Sequence, residues 1–512
     1  MTQRSCITTP IYYVNDKPHI GHAYTSVACD VLSRFGRMWG KDIYFLTGTD
    51  EHGQKIQSAA AKKNIDPKAF VDEIHESFRD LSRLLHLQND DFIRTTEPRH
   101  IHAAQTLWRS VEKNGYIYKD IYSGWYAERD EAYYQESELV NGKAPSGADV
   151  KWIEEESYFF KLSAFQDKLL AFYAEHPDFI APAARFNEVK RFVEGGLKDL
   201  CVSRSTFSWG VPVPEKEGHI MYVWFDALTN YITALGYGTD HFNEERFKNT
   251  LHVVGKDILR FHAVYWPAFL MAAGIALPKR IYSHGWWTVE GEKMSKSLGN
   301  TVNPYELVDK YYVDGIRYFL LREISFGEDG DFSKRALVMR LNTDLANAYG
   351  NLVQRVCAFV HKQCEEKIPS PHAFDASDHA LLDFSLKTLD TAKAFMDHQR
   401  MNKALESIWE LVGKANQYMD FQAPWTLKKT DRARMETVLY VLLNVIRRIA
   451  LLTTPFMPET STAILKQLGE NIETLENEGF VYYSHLLTPQ QILEKPVGRF
   501  PKFDLEGDDA SA

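Results

Sequence analysis

Thiols are scarce in this sequence: five cysteines stand among 512 residues, at Cys6, Cys29, Cys201, Cys357 and Cys364. Their number is odd and no two form a Cys-x-x-Cys pair, which argues against a disulfide framework or a zinc ribbon and for reduced thiols in a cytosol. Long apolar runs are also missing. The longest uncharged stretch, Phe261 to Pro278, falls short of the ~20 residues of a membrane span, and Pro267 interrupts it. Basic charge is not in excess. The 59 Lys and Arg face 69 Asp and Glu, a net charge of −10, so a polycation coating nucleic acid without selectivity is ruled out. A local basic face is not. The N-terminus, Met1 to Ile7, enters a strand-like run at once and does not read as a signal or transit peptide. A soluble, cytoplasmic protein is the expectation.

Aromatics, by contrast, are plentiful. They make up 13% of the chain, with 11 Trp and 26 Tyr, which suits pockets that grip small molecules by stacking. Hydrophobic residues at 45% and charged residues at 25% are the balance of a globular protein, and the length predicts three or four domains.

Two stretches share one grammar. Cys6-Ile7 and Ile11 to Val14 read as a strand that stops at Asn15-Asp16-Lys17-Pro18. Val27, Val31, Leu32, Phe35 and Met38 form a helical stripe closed by Gly40, and Ile43 to Thr47 is a second strand. Strand, helix, strand implies a right-handed βαβ unit and a parallel sheet. The pattern returns with Leu251 to Val254 as a strand, Ile258 to Ala273 as a helix and Arg280 to His284 as a strand. Residues ~117–220 between them carry turn punctuation instead, at Asn141-Gly142-Lys143 and Val211-Pro212-Val213-Pro214. From about 335 the chain is helical, with its clearest stripe at Val438, Leu439, Val441, Leu442, Val445 and Ile446. The fold class expected is α/β: a split doubly wound, Rossmann-like nucleotide-binding domain with an inserted domain and a C-terminal α-helical bundle.

Two motifs carry chemistry. Asn15 to His22 sits where strand gives way to helix, and a helix N-terminus offers free N–H groups and a positive dipole end to an anion. Gly21 allows close backbone approach, and His19 and His22 add donors suited to phosphate oxygens. Alone, the pair reads equally as surface histidines capping a helix. Lys293-Met294-Ser295-Lys296-Ser297, followed by Leu298-Gly299-Asn300, comes after the last strand of the second unit. Five fixed letters have a chance expectation of about 0.0002 in this length, and two lysines with two serines can follow charge building on a polyphosphate.

His19-Ile20-Gly21-His22 with Lys293 to Ser297 is the signature pair of class I aminoacyl-tRNA synthetases. The whole chain resembles the methionyl-tRNA synthetase family from Thr8 to about Pro458. The likeness includes Thr49-Asp50-Glu51-His52-Gly53, Tyr222-Val223-Trp224-Phe225-Asp226-Ala227, Gly255-Lys256-Asp257-Ile258, Gly350-Asn351-Leu352 and Ala423-Pro424-Trp425. It implies a catalytic first half over 1–116, an inserted connective domain over 117–221 and a catalytic second half over 222–290. A lysine-loop and stem-contact region over 291–335 and a helical anticodon-binding domain over 336–512 complete it. ATP is then a substrate, carried with Mg2+, and the partners are L-methionine and methionine tRNA, initiator and elongator.

The resemblance assigns roles residue by residue. His19, His22, Lys293 and Lys296 are the catalytic groups, and with Gly21, Asp257 and Ser295 they bind ATP. Ile11, Tyr13, Trp224, Ala227, Leu228, Tyr231, Ile258, His262 and Trp266 form the methionine pocket, and Asp50 holds the substrate ammonium. Ile258, His262 and Trp266 are spaced i, i+4, i+8 and read as well as the core face of a helix. Asn351, Arg355, Pro424 and Trp425 meet the anticodon, although Trp425 after Pro424 also suits a helix start. The chain departs from relatives whose insert carries Cys-x-x-Cys zinc knuckles. Tyr126 to Asp130 and Lys143 to Gly147 occupy those positions without a thiol or imidazole, and Asp130 alone cannot make a tetrahedral site. No structural zinc is expected, with Tyr133, Tyr134 and Trp152 packing in its place. The absence of an appended oligonucleotide-binding barrel favours a monomer. A class I cysteine enzyme, a non-catalytic RNA-binding paralogue and a nucleotidyltransferase without tRNA are weaker fits.

Overall fold

A computed structural model describes residues 4–14, 17–130, 132–134, 136–289, 291–294 and 301–504. Its centre is a seven-stranded parallel sheet. The first unit supplies β1 (Arg4–Thr8), β2 (Tyr12–Tyr13), helix α1 (Ile20–Met38), β3 (Asp42–Asp50) and β4 (Asp91–Arg94). A two-residue strand β5 (Ile180–Ala181) and helix α2 (Val223–Leu228) follow, then β6 (Thr250–Gly255) and β7 (Arg280–His284). Leu46 faces Thr8 on one side and Asp91 on the other, and Thr49 faces Tyr12 and Arg94. β2 therefore continues β1 after the bend at Pro10, and the spatial order is β4, β3, β1 with β2, β6, β7, β5. The direction of winding reverses between β1 and β6. That crevice, at the carboxyl ends of the strands, is where open α/β sheets bind ligands.

The parallel strands are buried on both faces, which explains their continuous Val, Ile, Leu and Phe character. α1 ends because Gly40 takes φ of +72°, a conformation open to glycine. The second crossover helix is not uniform. It runs from a 3₁₀ turn at Lys256–Ile258 through a π turn at Phe261–Tyr265 into α-helix at Trp266–Ala273. A π turn re-aims side chains within a helix and recurs at functional sites.

Within residues 117–221, one part stands off and one part returns. A four-stranded sheet is built from Ile117–Ala127, Ala132–Tyr134, Lys151–Phe160 and Leu200–Cys201. The returning part is β5, which pairs with Ile281 and Tyr282 of β7 and so completes the parallel sheet. At the insert's tip, the Tyr134 hydroxyl (3.0 Å) and the Ser146 hydroxyl both donate to Asp130 Oδ2, and Arg129 donates to the Ser146 carbonyl. Ala127, Ala144 and Ala148 pack beneath. Trp152 is not part of this packing. It is 51% exposed, lying edge-on to Trp125, because strand alternation turns it outward. The side chain of Tyr133 lies outside the described residues.

The C-terminal bundle is formed by helices Asn351–Gln363, Ala376–Asp397, Met401–Gln422, Pro424–Thr430, Arg432–Thr453 and Pro458–Gln467. Arg432–Thr453 is its central helix: every residue from Thr437 to Thr453 is buried, on all faces rather than on one stripe. The bundle and α1 belong to a single hydrophobic core. Arg317, wholly buried, ties them. Its guanidinium pairs with Asp30 of α1 at 2.6 Å and donates to the carbonyls of Leu85, Pro455 and Phe456. All five cysteines are free and buried. Among the described residues no helix is long and apolar enough to cross a membrane.

Candidate active site and RNA-facing surface

α1 starts where it does because histidines cap it. His19 Nδ1 accepts from the Gly21 N–H at 3.1 Å, and His22 Nδ1 accepts from the His19 N–H at 3.0 Å. This is a capping box with imidazoles in place of the usual hydroxyl and carboxylate. With both Nδ1 atoms spent as acceptors, the neutral rings carry their proton on Nε2. Burial lowers the pKa of His19; burial and the neighbouring His19 charge push His22 further down. The pair is therefore neutral at pH 7 and offers N–H donors, not cations. Gly21 has no freedom to change, since a Cβ there would lie 2.8 Å from His19 Cε1.

Both rings line a cavity of about 540 Å³ at the carboxyl ends of the strands. Pro10, Ile11, Tyr13, Gly21, Asp50, Lys55, Asp130, Trp224, Asp257, Ile258, Phe261, His284 and Met294 line it too. The chain reaches the second motif through a hairpin in which Thr288 pairs with Lys293, and Met294 enters the cavity wall. Beyond the motif, the Val302 carbonyl accepts from the Ile20 N–H at 3.1 Å, the first turn of α1. The described chain thus leaves the cavity wall at Met294 and is back beside the histidine motif at Val302. The side chain of Lys293, and Ser295 and Lys296, lie outside the described residues.

Asp257 is held by Trp286, whose Nε1 donates to its Oδ1 at 3.0 Å. Lys256 fixes the same loop, pairing with Asp329 at 2.5 Å and lying 4.3 Å from the Trp286 ring centroid. A Cβ at Gly255 would meet Asp257 Oδ1 at 2.6 Å and push that carboxylate aside.

The residues expected around methionine divide into two layers. Ile11, Tyr13, Asp50, Trp224 and Ile258 line the cavity. Ala227, Leu228, Tyr231, His262 and Trp266 are buried behind it. His262 Nδ1 donates to the Ile258 carbonyl at 3.0 Å and its Nε2 accepts from the Tyr231 hydroxyl at 2.7 Å. Burial lowers the His262 pKa to about 4. Trp266, wholly buried, packs against Tyr231 and edge-on to Phe247, as a core residue does.

Three groups escape the sequence reading. Phe261 stacks on Trp224 with centroids 3.8 Å apart and planes 6° from parallel, forming one cavity wall. Its signal was there, three residues after Ile258, a spacing that keeps two side chains on one face of a helix. The second group is a buried network in which Asp226 Oδ2 pairs with His52 Nδ1 and Oδ1 with His100 Nε2, both at 2.7 Å. Burial alone would raise the Asp226 carboxyl; the two histidines overcome it and hold it at about 2. The network fastens α2, which carries Trp224, to the residues just after Asp50. Asp226 and His52 lie in the motifs quoted above, whereas His100 carries no local signal. The third is His284, whose Nε2 lies 2.9 Å from the Thr25 hydroxyl of α1.

At the far end, Arg355 pairs with Asp420 at 2.9 Å and lies 5.6 Å from the Trp425 ring centroid. Asn351 is exposed one turn before Arg355. Pro424 is buried at a helix start and Trp425 is 42% exposed. Ala423 makes the corner with φ 44° and ψ 62°, left-handed backbone rarely taken by alanine.

Residues 5–151 and 137–357 match the family described as tRNA synthetases class I (M), and residues 368–506 match the anticodon binding domain of methionyl tRNA ligase. The chain belongs to the methionyl-tRNA synthetase family. A methionine–tRNA ligase of Rickettsia conorii is 54% identical over 97% of this chain and 99% of its own length. That of Mesorhizobium japonicum is 50% identical over 97% of each chain. The Mycobacterium tuberculosis methionyl-tRNA synthetase in complex with methionyl-adenylate superposes with a TM-score of 0.94 at 47% identity, covering 98% of this chain and all of its own. The free state of that enzyme gives 0.88 at 44% identity, covering 98% and 99%. The chain is thus nearer in shape to the adenylate-bound form than to the free one.

Proposed function

We propose that this synthetase activates L-methionine with ATP and transfers it to the terminal adenosine of methionine tRNA. One observation carries the reading: the histidine motif lines a cavity at the reversal point of a parallel sheet, and the chain enters the lysine motif from that cavity's wall at Met294. Methionine carboxylate attacks the α-phosphorus and pyrophosphate leaves. A carboxylate is already an ionised nucleophile at pH 7, so the step requires in-line placement and charge cancellation rather than a strong base. The neutral His19 and His22 donate Nε2–H groups to phosphate oxygens from the positive end of α1. Lys293 and Lys296 stabilise the departing pyrophosphate, which travels with Mg2+ as part of the substrate. Asp257, oriented by Trp286, faces the nucleotide ribose. Asp50 holds the substrate ammonium, and the Trp224–Phe261 stack with Ile11, Tyr13 and Ile258 receives the thioether, since sulfur packs well against rings. The second layer, Ala227, Leu228, Tyr231, His262 and Trp266, supports that wall from behind.

Asn351, Arg355, Pro424 and Trp425 meet the anticodon. This reading includes no structural zinc, supported by the hydrogen-bonded knuckle centred on Asp130. Pyrophosphate exchange into ATP, run with each of the twenty amino acids, tests the assignment and should respond to methionine. Lys296→Ala should slow that exchange roughly a hundredfold, ~3 kcal/mol, with methionine affinity little changed, because the contact forms mainly in the transition state. An unaltered exchange rate would remove Lys296 from the mechanism.

A further inference from the structure

Phe421 is 82% exposed, an extreme for a phenylalanine, at the end of a helix whose neighbouring side chains are all engaged. Tyr418 and Met419 are buried on the bundle side. Gln422 points inward, its Nε2 donating to Ser377 Oγ at 2.8 Å and its Oε1 accepting from Arg434 at 3.3 Å. Asp420 is held by Arg355. Packing therefore claims the residues on both sides and leaves this ring in water. The left-handed Ala423 then ends this helix and starts the next, in which Trp425 stands four positions on from Phe421. Two exposed aromatic rings flank one corner, and the Arg355 guanidinium reaches over one of them. Lys428 and Lys429 are exposed on the following turn. Arg355 is already paired with Asp420, so Lys428 and Lys429 are the exposed cations this corner adds to a chain whose overall charge is −10.

We propose that Phe421 is a second stacking platform, taking an unpaired base of the tRNA anticodon loop beside the one taken by Trp425. The proposal rests on the reading that this end of the bundle meets the anticodon. The chemistry is that of single-stranded RNA recognition: π faces for splayed bases, with cations alongside for the phosphates between them. A ring alone would suit any apolar partner; the cations and the continuity with Trp425 select RNA.

The test compares Phe421→Ala, Phe421→Leu, Phe421→Trp and Trp425→Ala in charging full-length methionine tRNA and an acceptor-stem minihelix. Phe421→Ala should raise the KM for full-length tRNA about tenfold, the loss of one base–aromatic stack. Phe421→Leu should lose nearly as much, and Phe421→Trp should retain the wild-type value within about twofold. The rise should vanish with the minihelix, which has no anticodon loop. If Trp425→Ala impairs tRNA charging and Phe421→Ala does not, Phe421 is no platform and the anticodon reading survives. If neither does, the anticodon reading itself fails. A wild-type KM in Phe421→Leu, or a change of sedimentation coefficient in Phe421→Ala, would replace stacking by a plain apolar contact or by self-association, and either overturns the proposal.

Discussion

His262 shows how one buried side chain is tied to the behaviour of the solution. Its imidazole donates from Nδ1 and accepts at Nε2, an arrangement open to the neutral ring and destroyed by protonation at Nε2. The folded-state pKa is about 4, below the ordinary 6.5. As pH falls from 6.5 towards 4 the unfolded chain takes up a proton that the folded chain refuses. The stability this site contributes is complete above pH 6.5 and is lost through that window, amounting to ~3 kcal/mol. Burial shifts His22, His252 and His284 in the same direction, so the acid limb should be steep. Denaturant unfolding at pH 7.5 and 5 should show the loss, and His262→Gln should make the dependence shallower. An imidazole resonance of His262 titrating near 6.5 would contradict the arrangement.

At the scale of elements, the insert's tip is the telling case. Relatives that fold this hairpin around a metal gain its binding energy; here Asp130 takes hydrogen bonds from Tyr134 and Ser146 over three alanines. Metal analysis of the purified chain should find zinc well below one per molecule, and a chelator should leave the thermal midpoint where it was. Stoichiometric, tightly held zinc would overturn that account. Apolar packing by Trp152 was the wrong replacement to expect from sequence, because a residue type does not reveal which face of a strand it occupies when its neighbours, Lys151 and Ile153, set no clear alternation. The same limit applies elsewhere. α1, β3 and β6 were legible because each has a long periodic or β-branched run and a clear stop. β5 was not, since two residues have no period, and its place in the sheet is set by Ile281 and Tyr282 a hundred residues later. Phe261 was hidden because Ile258, His262 and Trp266 were followed at i, i+4 and i+8, which passes over the i+3 position on the cavity side. The histidine and lysine motifs were legible because each element of their chemistry is local in sequence.

At the scale of the molecule, the two ends of the enzyme share one core, and Arg317 is its ionic knot. The ion pair with Asp30 has no solvent access on either side. Asp30 keeps Arg34 as a second partner at 2.7 Å, so Arg317→Met leaves a half-paired carboxylate and three carbonyls without their donor, and should cost ~3 kcal/mol. With Asp30→Asn added, the further loss should be less than additive, because the ion pair the two residues share is already gone. Full additivity in urea melts would show that the two residues do not act as a pair. The sheet itself draws on a distant part of the chain, since β5 comes from inside the insert and covers the outer edge of β7. An enzyme trimmed of residues 117–221 would therefore not be a smaller catalyst with an appendage removed. It would carry an open strand, Arg280–His284, whose unpaired N–H and C=O groups invite the same edge of another molecule, the geometry from which aggregation begins.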